Sequence, residues 1–489
     1  MYDLAIIGGG INGAGIARDA AGQGLRVLLL EQDDLAAHTS SASTKLIHGG
    51  LRYLEQFEFA LVRKSLKERE RLLAIAPHIV RPMRFVLPVD EGMRPAWMLR
   101  AGLWIYDHLA HRAILPGTQS HWLRDDPFGG ALQPRLARGF SYSDCWVDDA
   151  RLVVLNAQDA AARGANIVTR TRCTRLERFA DRWHVYAGDR CFAARGLVNA
   201  AGPWVDAVSA MAGDTRQRVR LVKGSHIVVP RLYDGDHAYI FQNPDRRIVF
   251  AIPYEGRFTL IGTTDQPYGL AEGPPVITDA ERAYLCAAAS NHFRKPVLAE
   301  SIIWTYAGVR PLFDDKSESV SRVTRDYMFD FQETGGAPFL QIFGGKLTTY
   351  RVLAKEAIRR FAPALRFTYR DWTAQEPLPG GDFGVGGFSA QLADGEARWP
   401  FLRRAVLDRL TRAYGTQLSA ILGDAKDPAA LGQDFGHGLY EAELRHLCRT
   451  EWAVTADDVL WRRSKLGLHM GAQQQSDVAE WMQSNALRD

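Results

Sequence analysis

Leu4, Ala5, Ile6 and Ile7 form an apolar run that stops at Gly8-Gly9-Gly10. A short apolar run closed by glycine predicts a strand, and the small residues from about Asn12 to Gln23 predict a helix with little side-chain bulk. A second apolar run, "LRVLLLE", predicts another strand ending at Glu31. The middle of the chain returns to strand-like patterns rich in β-branched and aromatic residues and broken by glycine: "RGLVNAAGPWV" (195–205), "KGSHIVVP" (223–230), "RIVFAIPYEGRFTLIGTTD" (247–265) and "PFLQIFGGKLTTY" (338–350). From about residue 376 the pattern changes again. The Gly/Pro-rich "EPLPGGDFGVGGF" reads as a linker, and "FLRRAVLDRLTRAY" and "YEAELRHLCRTEWA" carry helical periodicity.

These patterns predict an α/β chain, α+β overall. A Rossmann-type βαβ nucleotide domain takes residues 1–75, 145–225 and 335–365 approximately. An interleaved, mainly antiparallel substrate domain takes 76–144 and 226–334, and a linker at 366–388 leads to a helical C-terminal domain at 389–489.

Composition narrows the function only by exclusion. Sixty Lys and Arg against 56 Asp and Glu leave a formal charge of +4, too small for a dedicated nucleic-acid binder, so anion binding must be local. Cys145, Cys173, Cys191, Cys286 and Cys448 show no paired or metal-ligand spacing; they read as reduced thiols, and no metal is expected. The start of the chain has no basic export signal, and no apolar run approaches the roughly 20 residues that span a bilayer.

The glycines of the first turn carry the first chemistry. Gly8, Gly10 and Gly13 form G-x-G-x-x-G between a strand and a helix. Gly8 permits the turn, Gly10 lets a pyrophosphate approach the backbone, Gly13 lets the helix lie close on the sheet, and the helix start at Asn12 offers N–H groups to phosphate. Glu31 is positioned to accept from ribose hydroxyls. NAD and FAD share this unit. Two later turns favour FAD: Ala201 and Gly202 in "NAAGPW" give a second backbone approach. Gly345, Leu347 and Thr348 in "FGGKLTTY" form a glycine turn entering a helix, whose N-terminal dipole would favour negative charge on a flavin. In "SASTKLIHGGLRYLE" (41–55), hydroxyls, Lys45, His48, two glycines, Arg52 and Tyr53 crowd into one stretch, a composition suited to backbone pressed against a ligand.

Together, "IIGGGINGAGIARDAAGQGL", "TSSASTKLIHGGLRYLE", "GFSYSDCWVDDARL", "LVNAAGPWV", "KGSHIVVPR", "IGTTD", "WTYAGVRPL", "TRDY", "IFGGKLTTYR" and "DVLWRRSKLGL" run in order over almost the whole length. In these motifs the chain resembles the FAD-dependent glycerol-3-phosphate dehydrogenases of the respiratory, quinone-linked branch. The resemblance implies a glutathione-reductase-like FAD domain, a substrate domain like that of D-amino-acid-oxidase relatives, and a helical cap. It implies oxidation of sn-glycerol 3-phosphate to dihydroxyacetone phosphate, with electrons passed to ubiquinone or menaquinone. No insertion of the kind carried by the oxidase branch is visible, which favours a quinone over oxygen.

Such chemistry asks for a dianion clamp, a group at the C2 oxygen, and a base. Guanidinium forks and ammonium groups serve the first two. Arg52, Arg310, Arg325 and Lys346 all lie inside the resembling motifs. The division preferred on chemical grounds puts Arg325 and Lys346 on the phosphate with Arg52 and Tyr53 beside them, Arg310 at the C2 oxygen, and Thr264 on the substrate side. A solvated or domain-bridging ion pair is the alternative for each arginine. His48 is the first candidate base and His226 the second. Ser40, Ser43 and Lys45 are expected along the pyrophosphate and ring edge of FAD. Two rivals are an oxygen-using glycerol-3-phosphate oxidase and a flavin amine or amino-acid oxidase. The second clamps a single carboxylate, for which four cations are more than needed. A binding protein of the same fold without turnover is a third reading.

A quinone is dissolved in the membrane, so the expected location is cytoplasmic, attached peripherally to the inner face of the cytoplasmic membrane. The candidate contact is "RPAWMLRAGLWIYDHLAHR" (94–112): Pro95 suits a helix start, Trp97, Met98, Trp104, Ile105 and Tyr106 supply interfacial area, and Arg94, Arg100 and Arg112 would meet anionic headgroups. A helix buried in an interface is the alternative. The reading leaves room for a homodimer.

Overall fold

The computed structural model describes residues 1–90, 94–245, 247–314 and 326–485. The first apolar run is strand β1 (Tyr2–Ile7), the small-residue segment is helix α1 (Ile11–Gly22), and the second run is β2 (Val27–Leu30). β1 lies at the centre of a parallel core. Ile6 stands opposite Leu29 on one side and Val198 of strand Arg190–Asn199 on the other. Beyond these lie Asn166–Val168 at one edge and Phe339–Phe343 with Met328–Gln332 at the other. Alanines 14, 17 and 21 of α1 pack in one buried cluster with Leu353 and Ile358 of helix Tyr350–Leu365. Small side chains let these helices approach closely, which is what the composition of the segment requires.

The second sheet has ten strands, and nearly all its pairings are antiparallel. The exception is Ala238–Gln242 against Val80–Val89. Period-two alternation decides its two faces. Val228, Ile252 and Leu260 join a cluster with Leu99, Leu103 and Tyr106, whereas Ile227, Val229, Ala251 and Ile261 join one with Leu285, Cys286 and Ala289. Helix α2 (Phe59–Ile75) precedes the long strand Val80–Val89, and helix α3 (Ala96–His108), with Pro95 at its N-cap, covers the first face. Helix Asp279–Ser290 covers the second.

The sheets exchange the chain close to the expected divisions but not at them. Strand Val219–Pro230 belongs wholly to the substrate sheet, Met328–Gln332 belongs to the nucleotide sheet, and Leu46–Ile47 pairs with Arg138–Val147 of the substrate sheet. Hydrogen-bond register sets these boundaries, and apolar pattern does not carry it.

The C-terminal region forms a helical body with its own core, including Trp399, Leu407, Tyr414, Leu444 and Val478. Buried ion pairs tie it to the nucleotide domain: Arg463 donates to both oxygens of Asp34 at 2.6 and 2.7 Å, and Arg151 pairs with Glu451 at 2.5 Å. Both pairs are withdrawn from solvent, so removing one partner strands the other's charge.

Candidate active site

A cavity of about 430 Å³ is lined by residues of both sheets. One end is built mostly of backbone. Gly8 has φ +111°, and a Cβ there would lie 2.5 Å from the Ala200 carbonyl oxygen. At Gly13 a Cβ would lie 1.9 Å from the Gly8 carbonyl oxygen, so the start of α1 sits directly on the turn. Glu31 accepts from the N–H of Gly9 at 2.6 Å and of Asp33 at 2.9 Å, while burial pushes its pKa up. Its carboxylate also lines the cavity. Nearby, the His38 ring meets Trp204 edge-on at 4.5 Å and donates from Nε2 to Asp33 at 2.8 Å.

Gly10, Ala201 and Gly202 line the same end, Gly202 at φ +56° with open space where a Cβ would be. Asn12 donates from Nδ2 to the Gly344 carbonyl at 3.2 Å, while its buried Oδ1 accepts from nothing among the described residues. Gly345 (φ +98°), Leu347 and Thr348 complete this wall before helix Tyr350–Leu365. A glycine cradle at two strand ends, a buried acceptor awaiting a donor and a carboxylate at the end of β2 fit FAD.

The 40–56 stretch is tied down more than expected. Ser40 lines the cavity, yet its Oγ accepts from the N–H of Ile11 at 3.0 Å, occupying a donor otherwise open to phosphate. Ser43 also lines it, with its hydroxyl donating to Asp149 at 2.7 Å. Lys45 departs from expectation: its ammonium is buried against Asp149 at 2.8 Å and donates to the Ser41 carbonyl, so it anchors the loop and does not line the cavity. A lysine this far from water must be paired, and Asp149 supplies the pair. Tyr306 adds a hydrogen bond from its hydroxyl to the Ser43 carbonyl at 2.8 Å.

The other end of the cavity is built of side chains. His48, Arg52, Tyr53, His226, Arg310 and Lys346 all line it. Lys346 stands 5.0 Å over the Tyr53 ring. Burial, then the Lys346 charge, lowers the His48 pKa to about 3, so its imidazole is neutral. Arg52 has, among the described residues, no carboxylate at ion-pair distance. His226 is stacked on Tyr306 at 4.6 Å, its Nε2 3.0 Å from the Thr44 hydroxyl. Burial, with Lys45 and Arg310 nearby, holds it well below the ordinary histidine pKa.

Arg310 donates to the Thr264 carbonyl at 2.8 Å and pairs with Asp265 at 2.7 Å. Thr264 itself corrects the sequence-based expectation. It is buried and does not line the cavity; its hydroxyl donates to Glu281 at 2.7 Å, and only its carbonyl reaches the site, through Arg310. Alternation along the extended "IGTTD" segment turns Thr263 and Asp265 to the cavity and Thr264 away. Arg325 lies outside the described residues.

Sequence reasoning missed Asp149, Asp265, Thr44, Tyr306 and Glu281. Asp265 stands in the quoted "IGTTD", and Glu281 follows Thr278 in a T-x-x-E capping pattern visible in the sequence. Asp149 stands in the quoted "GFSYSDCWVDDARL", but its pairing carried no signal, since its partner Lys45 is 104 residues away.

A family profile described as FAD dependent oxidoreductase matches residues 3–351, and one described as the C-terminal domain of alpha-glycerophosphate oxidase matches 372–486. The chain is 51% identical to the glycerol-3-phosphate dehydrogenase of Pseudomonas aeruginosa over 99% of this chain and 95% of that one. It is 47% identical to the D-erythritol 1-phosphate dehydrogenase of Brucella abortus, over 99% and 98%. Among solved structures, the glycerol-3-phosphate dehydrogenase from Bacillus halodurans complexed with FAD superposes with a TM-score of 0.75 at 27% identity, covering 99% of this chain and 94% of that one. A glycine cradle suited to FAD, joined to full-length identity of about half with such enzymes, makes the chain a member of the FAD-dependent glycerol-3-phosphate dehydrogenase family.

Proposed function

We propose that the protein oxidises sn-glycerol 3-phosphate to dihydroxyacetone phosphate. The observation that carries this reading is that Arg52, Arg310 and Lys346 line one cavity with His48, Lys346 close enough to lower the His48 pKa, together with the glycine turns that fit FAD. Lys346, Arg52 and the Tyr53 hydroxyl hold the phosphate, with Arg325 of the "TRDY" motif expected in the same clamp. Charge-assisted bonds to a dianion are about twice as strong as neutral ones, which suits cations better than amides there. Arg310 faces the C2 oxygen and stabilises the charge that develops as the hydroxyl proton leaves. His48, neutral and with a lone pair available, takes that proton. The dianion offsets the Lys346 charge that depresses His48, so binding itself raises the basicity of the acceptor. His226, held against Tyr306 and Thr44, supports the wall. FAD, when bound, supplies the two-electron acceptor for the hydride leaving C2.

The test is the anaerobic absorbance of the yellow holoprotein before and after sn-glycerol 3-phosphate, beside glycine, sarcosine and D-alanine. Bleaching by the phosphate alone is expected; bleaching by an amine alone overturns the reading. The Brucella abortus relative favours a second substrate, a four-carbon polyol phosphate. Turnover with D-erythritol 1-phosphate in the same assay separates the two by kcat/KM.

The proposal extends to a membrane quinone as electron acceptor, reached by a peripheral contact. Among the described residues no helix is long and apolar enough to cross a membrane. On α3, Leu99, Leu103 and Tyr106 are buried, while Trp97 is 70% and Trp104 62% exposed, with Met98 also outward. Phe57, 80% exposed, precedes α2. Interfacial tryptophans on one face of a helix suit a headgroup layer. Arg100 is exposed there, whereas Arg94 and Arg112 are engaged by Glu55 and Asp107 and are removed from the expected headgroup set. Replacing Trp97 and Trp104 by Ser is expected to release the protein from anionic liposomes and lower quinone turnover while dye-linked activity persists. Parallel loss of both activities overturns the contact.

A further inference from the structure

Glu281 is a buried carboxylate outside the cavity, the third residue of helix Asp279–Ser290. A capping glutamate needs only the N–H of its cap residue, here Thr278 at 2.9 Å, and is ordinarily at the surface. Glu281 does far more. Its Oε1 accepts from the Ser225 hydroxyl at 2.8 Å and the Thr264 hydroxyl at 2.7 Å, and its Oε2 from the Thr278 hydroxyl at 3.1 Å and the Lys223 ammonium at 3.0 Å. Burial raises its pKa, but hydrogen bonds led by that from Thr264 outweigh burial and keep it ionised.

The Thr264 hydroxyl also accepts from the Ser225 N–H at 2.9 Å, so both its donor and an acceptor site are committed. That fixes the peptide unit whose carbonyl receives the Arg310 guanidinium. Asp265, the next residue, pairs with the same Arg310 nitrogen. The guanidinium is therefore aimed by residues 264 and 265, and residue 264 is held by Glu281.

We propose that Glu281, acting through the Thr264 hydroxyl, is a positioning residue that sets the orientation of Arg310 for the reaction. The inference rests on the reading of Arg310 as the group facing the C2 oxygen. Catalytic groups must be held to within about half an ångström and 10–20°, and a buried charge with several donors is a stiff anchor. Lys223, bonded to Glu281 and to the Val276 carbonyl, balances the charge.

Thr264→Val keeps the shape and removes the link; Thr264→Ser restores the hydroxyl; Glu281→Gln keeps an acceptor and removes the charge. Each is made in the wild-type and Arg310→Lys backgrounds and assayed as FAD-loaded holoenzyme with sn-glycerol 3-phosphate and a soluble dye. Thr264→Val is expected to lower kcat by at least ten-fold with KM within three-fold, Thr264→Ser to stay within two-fold of wild type, and Thr264→Val to add less than two-fold in the Arg310→Lys background. Non-additivity of this kind marks residues acting as a unit. Equal losses from Thr264→Val in both backgrounds overturn the inference while leaving Arg310 in its role. An unchanged kcat in Arg310→Lys alone overturns both. If Thr264→Val yields no holoenzyme, Glu281→Gln is read by the same criteria.

Discussion

The two ends of the cavity are built by different means. The cofactor end is backbone: a strand-end turn at Gly8, the start of α1 seated on it, and a second turn at residues 200–202 within contact distance. The proposed substrate side is side chains on separated elements, each restrained by something behind it: Arg310 by Thr264 and Asp265, His226 by Thr44 and Tyr306, and the 40–56 loop by Asp149. A backbone site is specified locally and fails in one step when a side chain intrudes. A side-chain site degrades piece by piece, each piece altering a different kinetic quantity.

The sharpest way to break the comparison is Gly13→Ala. A Cβ placed 1.9 Å from the Gly8 carbonyl cannot be accommodated without moving α1 or the turn, so the protein is expected to purify without flavin absorbance. A yellow variant with ordinary FAD content would show that the cofactor end is as adaptable as the other.

Asp149→Ala comes next. It leaves Lys45 buried without its carboxylate and frees Ser43, and breaking a buried pair in this way costs about 3–5 kcal/mol. Denaturant unfolding measures the loss, and Lys45→Met with Asp149→Leu should recover much of it.

On the proposed substrate side, Arg310→Lys keeps the charge and loses the planar fork. It is expected to lower kcat about 100- to 1,000-fold with a modest change in KM. Lys346→Ala is expected to do the reverse, raising KM about ten-fold or more with a smaller effect on kcat. Exchange of these two patterns would exchange the two assignments.

The smallest effect is electrostatic. His48 titrates near 3 in the folded protein, against an ordinary value of 6.5. Below pH 6.5 the unfolded chain binds a proton that the folded chain refuses, so stability falls as pH drops from about 6.5 toward 3. The slope from this residue is at most about 1.4 kcal/mol per pH unit. His48→Asn should flatten the stability profile between pH 6.5 and 5, approaching that amount only toward pH 5; an unchanged slope means that His48 is exposed enough to protonate.

What could be read before the fold was known follows the same division. The βαβ unit, the turn at Ala201–Gly202 and the helical C-terminal region were legible because each depends on residues within a few turns of one another, and the flavin was legible from three such turns taken together. That His48, Arg52, Tyr53, Arg310 and Lys346 line one cavity was anticipated from the motifs that resemble a family and not from spacing.

The sequence by itself determined the elements, their order and the backbone cradle, since apolar period and glycine position act over short range. Tertiary structure alone decided that Lys45 turns inward to Asp149, that the Thr264 hydroxyl faces Glu281 and not the cavity, and that strand Val219–Pro230 belongs entirely to one sheet. A charge or hydroxyl in a loop has no intrinsic direction. Its direction is set by whichever partner lowers the cost of burial, and those partners lie 104 residues from Lys45 and 17 from Thr264 along the chain.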